Sequence, residues 1–286
     1  MFEEAQYFAP VVTHDDGTQK VQLGSGHPGF ADRVYRQRRD SLATLASAWS
    51  PGDPAPTADY TPDEHEVWRV VSEALSEKHE RLACEQFRNG KSRLGLPLDR
   101  VPQLEEVSDL LEPLTGFRYQ PAAGLVALRD FYGSLADQRF WSTQYVRHHS
   151  NPLYTPEPDV LHEVVGHGNT LADDRYAALY RSAGAAARRL ESDEALQFVS
   201  KVFWFTLEFG VATEDGVLRT YGAGLLSSFG EINNFRHAEL RPFDTAAMGE
   251  FSDYEISTFQ DVLFGAASFD DAESRLLRFF DELSTR

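Results

Sequence analysis

The stretch YTPEPDVLHEVVGH, from Tyr154 to His167, decides how the rest of the chain is interpreted. It places Glu163 directly after His162, and a second histidine, His167, five residues beyond the first. Zinc hydrolases of the H-E-x-x-H type space their histidines four residues apart, which puts the two imidazoles about 40° apart around an α-helix. A spacing of five opens that angle to about 140°. We therefore predict a locally distorted helix, for which Gly166 is suited, and a metal chemistry other than zinc hydrolysis.

A metal site needs a third ligand, and Glu208 is the candidate. This carboxylate stands in the apolar, aromatic run KVFWFTLEFG, where a buried and unpaired charge would be costly. The same window is also compatible with a Glu208 that faces solvent at the end of its helix. Two neutral imidazoles and one carboxylate on one face of an ion are typical of non-haem iron oxygenases. Zinc accepts the same ligand types, so ligand type alone leaves both metals open.

Composition and charge limit the class of protein. The chain has 286 residues, of which 42% are hydrophobic and 12% aromatic, as expected for a globular protein with a full core. A formal net charge of −18 argues against nucleic acid or an anionic membrane as a partner. Cys84 is the single cysteine, so an intrachain disulfide is excluded. With neither a secretion signal nor an apolar run of about 20 residues, a cytoplasmic location is expected.

Periodicity and capping patterns predict a mainly α-helical fold with a minor β part. The β part comprises the short runs on either side of the turn signal Glu214-Asp215-Gly216 and the run ISTFQDVLF, residues 256–264. Helices are predicted over 31–49, after the capping pattern Thr61-Pro62-Asp63-Glu64, over 104–114, from Asp173 or Asp174 to about Leu190, from Ser192 to Glu208, and from Ser268 onward.

Two predictions concern the N-terminal part. The run PGDPAPTADY, residues 51–60, has loop composition, so we predict an N-terminal extension, 1–58, that packs on a catalytic domain, 59–286. The basic patch Arg36, Arg38 and Arg39 on the first helix is predicted to face solvent, because isolated clusters of charge usually do.

Three runs resemble the catalytic domain of the pterin-dependent aromatic amino acid hydroxylases. They are FWSTQYVRHHSNPLYTPEPDVLHEVVGHGNTLAD from Phe140, FWFTLEFG from Phe203 and TYGAGLLSSFGEI from Thr220, and the similarity covers roughly residues 59–283. The resemblance implies that family's fold, with an iron site in a central helical basket. It also implies dependence on Fe(II), a tetrahydropterin and O2. No run resembles a regulatory domain or an assembly helix, so a monomer or weak dimer is expected.

The same resemblance assigns roles to individual residues. His162, His167 and Glu208 stand at the positions of iron ligands, and Glu163 matches a glutamate that lies between pterin and iron. Substrate contact is implied for Arg147, Tyr154, Thr155, Pro158, Asp159, Trp204, Phe209, Gly224 and Ser227, and pterin contact for Gly124, Leu125, Val126, Phe131 and Glu163. In this scheme Arg147 holds the substrate carboxylate through two parallel hydrogen bonds, and Asp159 orients Arg147.

The implied reaction is hydroxylation of an aromatic ring. One oxygen atom of O2 goes to the pterin, which supplies two electrons, and the other goes to the substrate. Phenylalanine to tyrosine is the first choice. The alternatives with the same cofactors are a tryptophan or tyrosine hydroxylase, or attack on the meta carbon of phenylalanine. A zinc hydrolase is a remote alternative, and a catalytically silent binding protein is disfavoured because the three ligands and the arginine are all present.

Overall fold

Helices predominate in the computed structural model, which describes residues 9–252 and 258–283. All of the α-helices except the first lie between residues 59 and 283. The α-helices are α1 (Arg33–Ser47), α2 (Pro62–Leu82), α3 (Glu85–Leu94), α4 (Leu104–Thr115), α5 (Leu128–Ala136), α6 (Asn169–Leu171), α7 (Asp174–Arg189), α8 (Asp193–Phe203), α9 (Ala223–Ser227), α10 (Phe229–Asn234), α11 (Thr245–Glu250) and α12 (Phe269–Glu282).

The strands are short and form three small sheets. They are β1 (Val11–Thr13), β2 (Gln19–Val21), β3 (Arg118–Pro121), β4 (Arg139–Ser142), β5 (Val211–Glu214), β6 (Val217–Thr220), β7 (Glu239–Pro242) and β8 (Val262–Ala266). Strands β1 and β2 pair antiparallel, β3 and β4 pair parallel, and the third sheet has the order β6-β5-β8-β7. The mainly α-helical fold with a minor β part is confirmed.

Helix capping explains where the predicted helices begin. At α2, Glu64 N donates to Thr61 Oγ1 while Thr61 N donates to Glu64 Oε2, which completes the predicted capping box. Helices α7 and α12 begin after Asp173 and Ser268, whose side chains accept backbone N–H groups of the first turn. The turn between β5 and β6 carries two consecutive left-handed residues, Asp215 and Gly216, as its sequence predicted.

Three predictions needed correction or lie partly outside the described residues. The helix predicted from Ser192 to Glu208 is α-helical only to Phe203 and continues as a π-helix, Trp204–Glu208. The strand predicted over 256–264 is observed as β8 and begins at Val262, while residues 256 and 257 lie outside the described residues. The solvated basic patch is wrong for Arg39, which is 4% exposed.

Arg39 is buried because it pairs with a carboxylate from a distant segment. Its Nη1 lies 2.7 Å from Glu157 Oε1, and its guanidinium stacks 3.4 Å above the Tyr145 ring. Tyr35 of the same helix donates to Val146 O at 3.1 Å. Helix α1 thus contacts the segment that precedes the histidine motif.

The division of the chain at residue 58 stays a prediction. Among the described residues, no helix is long and apolar enough to cross a membrane.

Candidate active site

The two histidines lie on a π-helix, His162–Gly168, rather than on an α-helix. A π-helix closes i→i+5 hydrogen bonds, so it brings residues five apart into register. The Nε2 atoms of His162 and His167 are 3.1 Å apart. The helix distortion that the five-residue spacing predicted is therefore present, and it points both imidazoles to one place.

Glu208 reaches the same place from the second π-helix, Trp204–Glu208. Its Oε1 lies 3.0 Å from His167 Nε2, and its Oε2 lies 3.7 Å from His162 Nε2. Glu208 is 4% exposed, so the solvent-facing alternative left open by the sequence is wrong. The two π-helices together assemble a cluster of two imidazoles and one carboxylate.

Glycines allow helix α9 to pack against both π-helices. A Cβ added to Gly166 would lie 2.8 Å from Ala223 O, and one added to Gly222 would lie 2.3 Å from Glu208 O. Gly166 has no left-handed backbone, so its importance is steric rather than conformational. This close approach brings Ser227, the last residue of α9, to His162.

Each histidine is oriented by a hydroxyl group on its other ring nitrogen. His162 Nδ1 is 2.7 Å from Ser227 Oγ, and His167 Nδ1 is 2.7 Å from Tyr180 Oη. With the proton on Nδ1, each ring donates to a hydroxyl oxygen and keeps its Nε2 lone pair for a metal. The Ser227 hydroxyl can in turn donate to Gly224 O at 3.4 Å.

The protonation states also suit a cation. Burial lowers the pKa of His162 to about 3, against the opposing attraction of Glu208, so the imidazole is neutral at physiological pH. For Glu208, burial alone would raise the pKa, but the two histidines outweigh it and lower the pKa to about 2. A neutral imidazole nitrogen and an ionised carboxylate are both ligands that a divalent metal accepts.

Ligand spacing supports a single ion. Two ligands bound at about 2.1 Å in adjacent octahedral positions are about 3.0 Å apart, which is close to the observed separations of 3.0–3.7 Å. Glu163 is a second carboxylate nearby, and its ligand atom lies within 4.8 Å of those of the histidines. The carboxylate oxygens of Glu208 lie 3.0 and 3.7 Å from the two Nε2 atoms, which makes Glu208 the candidate for the third ligand. Burial raises the pKa of Glu163 well above its usual range, which makes it a poor anionic ligand.

Arg147 is locked by a buried carboxylate. Its Nε and Nη2 donate to Asp159 Oδ2 and Oδ1 at 2.9 and 2.8 Å, and its backbone N donates to Oδ2 at 2.9 Å. Asp159 also accepts from His162 N at 3.2 Å. One carboxylate therefore ties the arginine to the start of the first π-helix, and within residues 9–252 and 258–283 no hydrogen bond occupies Arg147 Nη1.

A cavity of about 570 Å³, here called the metal cavity, surrounds the cluster. Most of the residues predicted to bind substrate line it. Trp204 and Phe209 stack with ring centroids 4.5 Å apart and form an aromatic wall. Asp159 lies behind Arg147 and is fully buried. The predicted site residues that line the cavity are Arg147, Tyr154, Thr155, Pro158, His162, Glu163, His167, Trp204, Glu208, Phe209, Gly224 and Ser227.

The predicted pterin residues are divided between different places. Gly124, Leu125 and Val126 line another cavity, of about 510 Å³, here called the second cavity. Its other walls come from residues 9–19, 46–51, 121–123 and Trp141. Phe131 lines neither cavity; it is 2% exposed and packs edge-to-face on Phe140. Of the predicted pterin residues, Glu163 lines the metal cavity, while Phe131 is one ring removed from His167 through Phe140.

Several residues that line the metal cavity were missed by sequence reasoning. The Phe140 ring lies 4.7 Å from that of His167, and Glu231 lies on α10. Both belong to runs that the resemblance had already identified, so their presence in those runs was the available signal. The others are Leu153, Pro156, Glu157, Ser228, Phe229, Gly230, Thr258 and Phe259.

Comparisons with known proteins point to one family. A family model described as biopterin-dependent aromatic amino acid hydroxylase matches residues 11–286. A phenylalanine 3-hydroxylase of Streptomyces coeruleorubidus is 48% identical over 89% of this chain and 91% of its own length. A phenylalanine-4-hydroxylase of Dictyostelium discoideum is 41% identical over 91% of this chain, which spans 60% of that relative.

Solved structures agree with the sequence comparisons. The phenylalanine hydroxylase of Chromobacterium violaceum, in a crystal structure with bound iron(III) and oxidised cofactor 7,8-dihydrobiopterin, has a TM-score of 0.74 and 28% sequence identity. The match covers 81% of this chain and 84% of that one.

Proposed function

The chain belongs to the biopterin-dependent aromatic amino acid hydroxylases, and we propose that it hydroxylates the ring of L-phenylalanine with Fe(II), a tetrahydropterin and O2. The observation that carries the proposal is the cluster of His162, His167 and Glu208 inside a cavity that also contains Arg147 and an aromatic wall. A charged end and an aromatic end in one cavity fit an aromatic amino acid.

The chain's own residues hold the metal and orient the substrate. His162, His167 and Glu208 would bind the iron, and Ser227 and Tyr180 hold the two imidazoles through Nδ1, which leaves each Nε2 for the metal. When bound, the iron and the tetrahydropterin supply the activation of O2 and the electrons for the reaction.

Substrate binding uses the opposite ends of the metal cavity. Arg147, held rigid by Asp159, would bind the substrate carboxylate through its free Nη1. Trp204 and Phe209 would hold the ring, with Pro158 as a further wall. Fixing both ends of the amino acid presents one edge of the ring to the metal, and the apolar lining excludes water from it.

The ring position that is attacked has two candidates. Attack at the para carbon, which gives tyrosine, is the first choice from the sequence. A specific observation favours the meta carbon: the Streptomyces phenylalanine 3-hydroxylase is 48% identical over 91% of its length, more than the 41% of the Dictyostelium 4-hydroxylase. The product would then be meta-tyrosine.

A product assay tests the proposal. The iron-free chain is loaded with Fe(II) and incubated with a tetrahydropterin, O2 and each of phenylalanine, tyrosine and tryptophan, and the products are separated by chromatography. We expect hydroxylation of phenylalanine that depends on both iron and pterin. A product made mainly from tryptophan or tyrosine would overturn the substrate assignment, and full activity of a zinc-loaded, iron-free chain would overturn the reaction class.

We further propose that the chain works in the cytoplasm as a monomer or weak dimer. Support comes from the strongly acidic composition and from Cys84, which is free and buried. Sedimentation of the iron-loaded chain at micromolar concentration tests the oligomeric state, and a tight higher oligomer would contradict it.

A further inference from the structure

Glu231 is a buried carboxylate that the proposed function leaves without a task. It is 7% exposed and lines the metal cavity from helix α10. Its Oε1 accepts from Gln260 N at 3.1 Å, but its Oε2 has no partner among the residues that the structure describes. A buried carboxylate oxygen without a partner is costly, and Glu231 lines a cavity from which a cationic group could approach its side chain.

The charge around Glu231 is also uncompensated. In the described ranges 9–252 and 258–283, the charged neighbour that acts on it is Asp261, which is itself acidic. Burial, with a smaller contribution from Asp261, raises the pKa of Glu231 to about 7. A bound cation would remove this penalty and restore the ionised form.

The other glutamates of the metal cavity already have a role or a partner. Glu208 faces the histidine ligands, and Glu163 lies beside them. Glu157 is paired with Arg39 at 2.7 Å, so its charge is compensated. Glu163 Oε1 also has no partner in the described part of the chain, but Glu163 lies beside the proposed metal ligands. Among the described residues, Glu231 is therefore the cavity glutamate that has neither an ion pair nor a role in the proposed function.

The substrate of the proposed function supplies such a cation. An L-amino acid carries an ammonium group on the same carbon as its carboxylate, and Arg147 can bind only the carboxylate. Three N–H donors and a positive charge then need an acceptor in the same cavity. Glu231 is close in sequence to Ser227, which contacts His162, and its backbone N donates to Ser228 Oγ at 3.3 Å.

We propose that Glu231 binds the ammonium group of the amino acid substrate and thereby selects α-amino acids over aromatic acids that lack the amine. This inference rests on the proposed function and adds a specificity-determining residue to it. Arg147 and Glu231 then form a charge pair of opposite sign that is complementary to a zwitterion.

The test compares two ligands that differ only in the ammonium group. L-phenylalanine and 3-phenylpropanoate share the ring and the carboxylate, so the second probes the cavity without the cation. With iron-loaded enzyme and a tetrahydropterin, we expect Glu231→Gln to raise the KM for L-phenylalanine about 10- to 100-fold. The Ki of 3-phenylpropanoate as a competitive inhibitor should change less than about threefold.

The Gln variant is suited to this comparison because it keeps the structural contact. Its side-chain oxygen can still accept from Gln260 N, whose side-chain Oε1 accepts from Trp204 Nε1 at 3.1 Å, so the aromatic wall stays supported. The matched control is Glu239→Gln on β7, an exposed glutamate that should change neither constant. Iron content and thermal stability of both variants serve as checks of folding.

Two outcomes would overturn the inference. A parallel rise of KM and Ki would show that Glu231 shapes the cavity or contacts the ring, and an unchanged KM would show that it does not touch the substrate. Anaerobic calorimetry with the same two ligands gives the comparison without turnover. If the parent enzyme prefers L-phenylalanine through Glu231 but makes no product, the proposed function fails while the ammonium site stands.

Discussion

The metal cavity and the second cavity are similar in volume, about 570 and 510 Å³, but their walls are built differently. In the metal cavity, Arg147 is fixed by Asp159 and each histidine ligand by a hydroxyl group. The second cavity has no charged residue among its described lining residues, and its shape depends on how the strands near residue 11 meet the loop near residue 124.

The difference shows which kind of site is determined by residues that are close together in the sequence. Ligand spacing and a few buried hydrogen bonds determine the metal cavity, and most of the residues concerned lie in the three runs that resemble the family. The second cavity results from contacts between segments more than 100 residues apart, which no single motif contains. Changes in the first cavity should therefore have large and specific effects, and changes in the second should have small and compensable ones.

Removal of a metal ligand is the largest expected effect. We expect His162→Ala and Glu208→Ala to lower the iron content from about one per chain to near zero and to reduce activity about 100-fold or more, because each deletes one of the proposed metal ligands. Elemental analysis after loading with Fe(II) measures this. Glu163→Ala is the matched comparison and should keep its iron; a chain that lost iron only through Glu163→Ala would show that the third ligand was misassigned.

Arg147→Lys should separate substrate binding from metal binding. Lysine cannot reproduce the forked contact to Asp159 or present Nη1, so we expect the KM for phenylalanine to rise about 10- to 100-fold. The iron content should stay near that of the parent chain. Steady-state kinetics and metal analysis on the same preparation give both numbers, and an unchanged KM would refute the carboxylate role of Arg147.

The sequence predicted the approach of His162, His167 and Glu208 better than the structure around them. The five-residue spacing led to a distorted helix, and the lone carboxylate of KVFWFTLEFG to Glu208, because both signals are local and chemically restrictive. The second π-helix was not predicted, since hydrophobic periodicity cannot distinguish it from the end of α8. Arg39 was misplaced because its partner, Glu157, is 118 residues away and no local pattern identifies a buried ion pair.

Glu231 and the pterin segment show the same limit. Glu231 lies in the run TYGAGLLSSFGEI, but that run gives no information on what the short helix α10 faces. The resemblance selected Gly124, yet the contact that shapes the wall beside it comes from Val11, in a part of the chain for which the sequence predicted no strand. Long-range packing, rather than propensity, decides both cases.

A smaller effect concerns the pH dependence of stability. The pKa of Glu231 is about 7 in the folded chain and near 4.5 in the unfolded chain, so this group stabilises the fold below pH 4.5. That contribution is lost as the pH rises from 4.5 through 7. The free energy of unfolding should therefore fall between pH 4.5 and 7. We expect this fall to be about 1–2 kcal/mol smaller in Glu231→Gln than in the parent chain.

Urea titrations of the substrate-free chain at several pH values measure this slope. The control is Glu239→Gln, because the Glu239 carboxylate is exposed and paired with Arg241. Its free energy of unfolding should change with pH between 4.5 and 7 as that of the parent chain does. A decline that persists unchanged in Glu231→Gln would mean that another group titrates in this range.

The smallest expected effect tests the second cavity. A Cβ added to Gly124 would lie 2.5 Å from Val11 Cγ2, so Gly124→Ala must displace strand β1 or the loop. We expect the KM for the tetrahydropterin to rise about threefold, with the iron content and the KM for phenylalanine unchanged. Gly133→Ala is the matched glycine control, because its added Cβ would meet nothing closer than 3.9 Å.

A second substitution decides whether this effect comes from the contact between the two segments. Val11→Ala removes the atom that the new Cβ would meet, so the double variant Gly124→Ala with Val11→Ala should recover most of the pterin KM. If the effects of the two substitutions on the pterin KM were simply additive, strand β1 would not shape the segment Gly124 to Val126. The second cavity would then be a gap between packed elements. Recovery would instead establish that residues from the N-terminal part of the chain help to form the pterin site, which a motif centred on His162 cannot reveal.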